Sequence, residues 1–224
     1  MSAVAESFPW TARSVRLGEV VELNPRPDRN ALPDDLEVSF VPMSSVEAAT
    51  GRMDATSVRR FAEVKKGYTI FREGDVLFAK ITPCMENGKM AVALGLRNCV
   101  GVGSTEFHVL RPLPGVDAHY VYHFVSSSHF RAEAAHHMTG AVGQKRVPTA
   151  FLENCKIHLP SLDEQRRIVA ELEKQFSRLD QAVANLKRVR ANLKREQAAV
   201  LNSRSHWASN RKVHFDIGAD PKRQ

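Results

Sequence analysis

Leucine returns at every seventh position in Leu172, Leu179, Leu186 and Leu193, with Val200 next in the register, along a stretch free of proline and glycine. Apolar residues at this period specify a long helix that offers a narrow seam to another helix. Pro160 ends what comes before it, Ser161 or Asp163 can cap the helix, and Glu164 places negative charge near its positive end. If residues 163–204 are all helical, the rod is ~63 Å long at ~1.5 Å per residue, longer than a compact domain of the preceding residues is wide. An ordinary amphipathic helix lies on its own domain, but one of this length must reach something else. Ile168, Phe176, Val183 and Val189 widen the stripe, so Ile168, Leu172, Phe176, Leu179, Val183, Leu186 and Leu193 are the expected interface, with Arg166, Lys174, Lys187, Arg190 and Lys194 on other faces.

The rest of the chain has the makings of one domain. At 43% hydrophobic and 25% charged residues it can build a sizeable core, which excludes a disordered chain. No apolar run approaches the ~18 residues of a membrane span, and the first residues, with Glu6, Pro9 and Trp10, lack the pattern of an export signal. A soluble, cytoplasmic protein is expected. Cys84, Cys99 and Cys155 are odd in number and widely spaced, so they read as reduced thiols rather than a disulfide framework or a metal clip. The net charge of +7 is unevenly placed: residues 1–160 carry 18 Lys/Arg against 17 Asp/Glu, residues 163–204 carry 10 against 6, and residues 205–224 carry 4 against 2. If the first 160 residues grip a polyanion, they must do it by clustering bases on one face.

Arg16–Leu23 reads as a short helix stopped by Asn24-Pro25-Arg26-Pro27. The pattern then turns to short strands at 38–43, 58–64, 75–81, 90–94 and 107–110, separated by turn residues such as Thr50-Gly51, Lys66-Gly67 and Glu73-Gly74-Asp75. Residues 117–138 return to helical spacing, broken near Ser126-Ser127-Ser128, so two short helices are expected, followed by a loop at 139–143 and a last strand at 155–159. The fold class is therefore α+β: a curved, mostly antiparallel sheet with short helices in residues 1–160, one long coiled-coil helix in 161–204, and a flexible tail in 205–224 with a possible strand at 213–217.

Several polar groups echo catalytic constellations without completing one. Asn24-Pro25-Arg26-Pro27 superficially resembles the Asn-Pro-Pro-aromatic tetrapeptide of amino-group DNA methyltransferases, but no aromatic follows and no glycine-rich cofactor loop follows a strand. Asp75 and Lys80 echo the spacing of metal-dependent nucleases, yet Phe78 stands where a second acid must share the metal. His119 and His123 could face a metal from one helix, though Tyr120 replaces the glutamate of a zinc protease; structural histidines are the simpler reading. His136-His137 has no Ser, Cys or Asp partner at a recognisable spacing.

Two polar loops remain. In residues 79–89, Lys80 and Lys89 can neutralise phosphates, while Thr82 and Asn87 offer the donors and acceptors that match base edges. In residues 140–146, Gln144, Lys145 and Arg146 gather a bidentate amide and two cations beside two glycines. Each loop alone is more often a solvated hairpin. Read with the rod, they suggest a DNA reader on a spacer.

The chain resembles one half of a specificity subunit of a type I restriction-modification system. The resemblance covers about residues 14–204 and rests on Arg16-Leu-Gly-Glu-Val20, Gly74-Asp75-Val-Leu-Phe-Ala-Lys80, Ser104-Thr105-Glu106-Phe107-His108 through Pro112, and Thr139-Gly140 to Gln144-Lys145-Arg146-Val147 running into Ile157-His-Leu-Pro-Ser-Leu-Asp-Glu-Gln165-Arg-Arg-Ile168. It implies recognition of double-stranded DNA without catalysis and without a cofactor of its own, S-adenosylmethionine being used by partner methyltransferase subunits, often beside a translocating restriction subunit. Such subunits typically hold two target recognition domains set apart by antiparallel helices, and this chain has room for one. It is then a fragment, or a half-subunit that dimerises through the leucine seam and reads a bipartite site; Met1 and the tail favour the half-subunit. Lys187-Arg188 and Lys194-Arg195 could face DNA or the methyltransferase, or simply solvent. The alternatives are a non-catalytic coiled-coil scaffold for protein or RNA, and an enzyme whose site escapes recognition.

Overall fold

A computed structural model describes residues 13–141 and 143–213, with side chains of the last helix as far as Ala199. The described residues through Ala170 form one compact unit and those from Glu171 another. No described helix is long and apolar enough to cross a membrane.

The first unit contains two four-stranded sheets and a two-stranded ribbon. The central sheet runs β2 (Val21–Leu23), β9 (Phe107–Pro112), β6 (Val76–Ala79), β7 (Met90–Val92), with every neighbouring pair antiparallel. The side-chain period of two divides its residues between two cores. Val76, Phe78, Met90, Val92 and Leu110 pack on one face beneath α2 (Ala118–Ser126) and α3 (Ser128–His136), while Leu77, Ala79, Ala91, Phe107 and Val109 pack on the other against Phe71. This is why Val76-Leu-Phe-Ala79 is apolar throughout rather than alternating: both faces of β6 are covered.

The second sheet runs β4 (Val58–Arg60), β3 (Glu37–Val41), β8 (Val100–Gly103), β5 (Thr69–Arg72), and its β3–β8 pair is parallel. The glycines of β8 are steric necessities, since a Cβ on Gly101 would lie 2.1 Å from the Phe71 ring. The α+β class with antiparallel strands and short helices is thus observed, as two sheets with one parallel pair.

The helix expected at Arg16–Leu23 is absent. There, β1 (Arg13–Arg16) pairs with β10 (Lys156–Leu159), a single 3₁₀ turn (Leu17–Glu19) switches sheets, and β2 pairs with β9. Leu17, Val20 and Val21 are all buried, so the turn and the strand start cover the same apolar positions that a helix face would. A short apolar run leaves the choice to tertiary pairing. The strand expected at 58–64 stops at Arg60 and becomes the one-turn α1 (Phe61–Val64).

The two helices expected in 117–138 are present, with Asp117 capping the amide of Tyr120 and Ser127 that of Phe130. A further short helix, α4 (Thr149–Asn154), precedes β10. The long helix α5 spans Leu162–Val213, beyond the expected end at Arg204. Of the possible strand at 213–217, Val213 is helical and the remainder lies outside the described residues. Within the first unit, buried Gln165 fixes the start of α5: its Oε1 accepts from Asp117 N at 2.9 Å, and its Nε2 donates to Pro160 O at 2.9 Å and Gly115 O at 3.2 Å.

Candidate nucleic-acid interface

The two polar loops are neighbours in space. The first leaves β6 at Lys80 and folds over buried Met85, with Met85 N donating to Ile81 O and Lys89 N to Cys84 O, both at 3.0 Å. The second is a hairpin closed by Thr139 and Arg146, whose backbones exchange bonds of 3.0 and 2.8 Å. Gly140 (φ 124°) and Gly143 (φ 79°) supply the turn conformations that L side chains resist. Thr82 N donates to Lys145 O at 3.0 Å and Val147 N to Lys80 O at 2.9 Å, which joins the two loops at their bases.

Two side chains missed by the loop-by-loop reading hold that junction. The Glu106 carboxylate takes a fork from Arg146, Nε at 2.9 Å and Nη2 at 2.7 Å, while Arg146 Nη1 donates to Gln144 O at 3.1 Å and Lys80 N to Glu106 O at 2.9 Å. The Arg146 bonds hold the Glu106 carboxyl below its ordinary value, against the opposing effect of burial. His108 is buried, and that burial pushes its imidazole below the usual histidine value. The neutral ring fits its surroundings as the Nε2–H tautomer: Nε2 donates to Val147 O at 2.8 Å, and Nδ1 accepts from Asn24 Nδ2 at 3.0 Å. Asn24 Oδ1 in turn accepts from Val109 N at 3.1 Å. Asn24 adopts φ 51° at the end of β2, so Asn24-Pro25 ends a strand rather than the helix expected before it. The one available signal was the alternation Glu106-Phe107-His108, which puts both polar side chains on one side of a strand start.

The expected DNA-contacting residues separate into two groups. Asn87, Gln144 and Lys145 are exposed at the loop tips, and Lys80 is half-buried with no hydrogen bond or ion pair to its ammonium among the described residues. The others have work inside the protein. Thr82 Oγ1 donates to Lys145 O at 3.3 Å. Lys89, expected to neutralise a phosphate, is half-buried and donates to Met43 O at 3.0 Å, tethering the turn at 43–45. Arg146, expected to read a base, has its charge offset by Glu106. Both side chains therefore have partners inside the protein that the sequence did not disclose, and they brace the loops from within.

Asp75, the residue with nuclease-like spacing to Lys80, is structural. Its carboxylate takes Nε and Nη2 of Arg111, each at 2.8 Å, and the amide of Arg72 at 2.7 Å. No group of three or more His, Cys, Asp or Glu that could hold a metal occurs among the described residues. On α5, Ile168 and Leu172 are half-buried, whereas Phe176, Leu179, Val183, Leu186, Val189 and Leu193 are exposed, Leu179 to 60% and Leu186 to 68%.

Comparison with known proteins gives this architecture a family. Two specificity subunits of Escherichia coli, those of the type I restriction enzymes EcoEI and EcoAI, are each 39% identical to the chain over 177 residues, which is 79% of this chain and 29% of each subunit. The HsdS subunit of Thermoanaerobacter tengcongensis has the same fold at a TM-score of 0.64 and 23% identity, over 91% of this chain and 50% of that one. A second solved chain, from a structural study of complex assembly and conformational transition of the type I R-M system, superposes at a TM-score of 0.65 and 24% identity, over 96% of this chain and 53% of that one. The chain spans under a third of the E. coli subunits and about half of these solved chains. Since the model of the type I restriction modification DNA specificity domain matches residues 9–194, the chain belongs to that family.

Proposed function

We propose that the chain is a non-catalytic recognition unit that reads one half of a bipartite DNA site and, paired through its long helix, positions the methyltransferase subunits of a type I restriction-modification complex. The observation that carries this reading is the junction of the two polar loops. Glu106 and His108 hold their bases from beneath, so Asn87, Gln144 and Lys145 are presented together on a preset support. Amide and amine groups carried on loop backbones fixed by folding suit base edges, because part of the ordering cost is met before binding.

The exposed seam from Phe176 to Leu193 supplies the second half of the reading, since apolar positions at heptad spacing are covered when a second helix packs on them. Two copies related by a twofold axis would read a palindromic, interrupted site in the cytoplasm, with S-adenosylmethionine held by the partner methyltransferase and any restriction subunit added around it. Selection of bound duplexes from a random pool, with and without the methyltransferase, tests this. Enrichment of one bipartite sequence, with affinity falling steeply as salt rises, is expected. Absence of any enrichment in both arms refutes it and leaves the scaffold reading.

A further inference from the structure

We propose that the cleft beside the joined loops is a seat for backbone phosphate of the DNA strand being read, with Arg26 and Lys80 as its cations. The inference rests on the chain being a DNA-recognition unit, and adds to it a contact surface outside the loop tips.

The cleft has a volume of about 490 Å³, and its lining includes Arg26, Arg29 and Lys80 but no aspartate or glutamate. In a domain whose acids and bases nearly balance, that local excess calls for an anion. Arg29 is tied to the wall by one Nη1 bond to the carbonyl of Lys65 and one Nη2 bond to that of Tyr68, which hold it in place without cancelling its charge. Neither Arg26 nor Lys80 has a side-chain hydrogen bond or ion pair among the described residues. Glu106 is close enough to feel the Lys80 charge, but its two oxygens are taken by the Arg146 fork.

A second cleft among the described residues is built differently. Its cation Arg16 lies 2.7 Å from Glu19, and Glu22 and Glu153 also line it, so its charge is compensated internally.

Tyr68, Thr69, Thr105 and Thr149 also line the cleft, and none of their four hydroxyls has a hydrogen-bond partner among the described residues. Cations with free hydroxyls are the donor set that phosphate oxygens accept. The cleft is also continuous with the loops. His108 forms part of its lining and bonds Val147, and Lys80 also lines the cleft while its carbonyl bonds Val147 N. A strand with its bases against Gln144 and Lys145 would therefore present its backbone to a wall that is rigidly tied to the reading tips.

Fluorescence anisotropy of the full-length protein on its selected duplex and on a scrambled duplex, over a salt series, tests the assignment. Arg26→Ala is expected to weaken both duplexes by a similar factor, on the order of tenfold, with sequence preference unchanged and the log–log salt slope smaller by about 1; Arg26→Ala/Lys80→Ala should lower the slope by about 2. Lys66→Ala removes an exposed cation that does not line the cleft and should do neither. Wild-type affinity and slope in Arg26→Ala and the double variant overturn the proposal while leaving DNA reading intact. An equal loss in Lys66→Ala overturns it too, in favour of diffuse charge. A wild-type protein that discriminates no duplex overturns the recognition reading itself, and the phosphate seat with it.

Discussion

Replacing Asp75 by alanine removes a buried charge that braces the central sheet. The Asp75 side chain is 2% exposed, and its carboxylate accepts three bonds, two from the Arg111 fork and one from the Arg72 amide. In the variant the Arg111 guanidinium retains only Glu22, whose carboxylate is 3.8 Å away. Removing one partner of a buried ion pair costs roughly 3–5 kcal/mol. The low end applies because the Arg111 side chain is 23% exposed and can recruit water. A loss of about 3 kcal/mol corresponds to roughly 6–12 °C in melting temperature for a domain of this size. Scanning calorimetry of the transition that contains the sheet measures it. The companion variant Asp75→Ala/Arg111→Met removes the stranded cation and keeps its apolar stem, so it should recover at least ~1 kcal/mol of the loss. A single variant that costs less than ~1 kcal/mol, or a double variant no better than the single, would refute the argument that the stranded charge is the cause. Under this account the acid spaced like a nuclease residue is a brace between β6 and β9, and DNA affinity in Asp75→Ala should follow the folded fraction alone.

The remaining expectations concern the loop support and the seam. Because burial holds the His108 imidazole below the unfolded value of 6.5, the unfolded chain binds the proton first; stability from this site is complete above about pH 6.5 and declines as pH falls from there through the depressed folded value. His108→Gln should flatten the pH dependence of the melting temperature in that window, and an unchanged slope would locate the sensitivity elsewhere. Leu179→Glu/Leu186→Glu places carboxylates in the seam of the proposed pair, where they would be buried without partners, and should give monomers in sedimentation equilibrium. Dimers persisting in that variant would show that association does not use this face.

The long helix was legible in the sequence because its code is local: a seven-residue apolar period, a capping serine and no helix breakers. The strands at 37–41, 76–79, 90–92 and 107–112 were legible for the same reason, as short β-rich runs between turn residues. Four strands were missed, two of them, Arg13–Arg16 and Val21–Leu23, at the segment read as a helix. Val100-Gly-Val-Gly103 carries two glycines that argue against a strand, yet Gly101 is there to admit the Phe71 ring, a contact made 30 positions away in the chain. Thr69-Ile-Phe-Arg72 is too short to stand out, and it exists because β8 pairs with it. The misread segment at Arg16–Leu23 has the same origin, since its apolar positions satisfy either geometry until β10 and β9 are in place.

The candidate interface divides along the same line. Polarity and glycine content alone singled out both loops, but nothing local states that Ile81 and Arg146 pair across 65 positions. That pairing decides what each side chain can do. Once Glu106 lies opposite Arg146, the arginine that suits a guanine edge by chemistry also braces the loop by geometry, and the amide and amine at the tip remain without internal partners. Arg26 gains its importance by the converse route, from a cleft that only the packed sheets create and that contains no carboxylate to offset its charge. Recognition in such a domain is therefore set by which polar side chains the fold leaves without internal partners, and that remainder can be counted only after every long-range pair has formed.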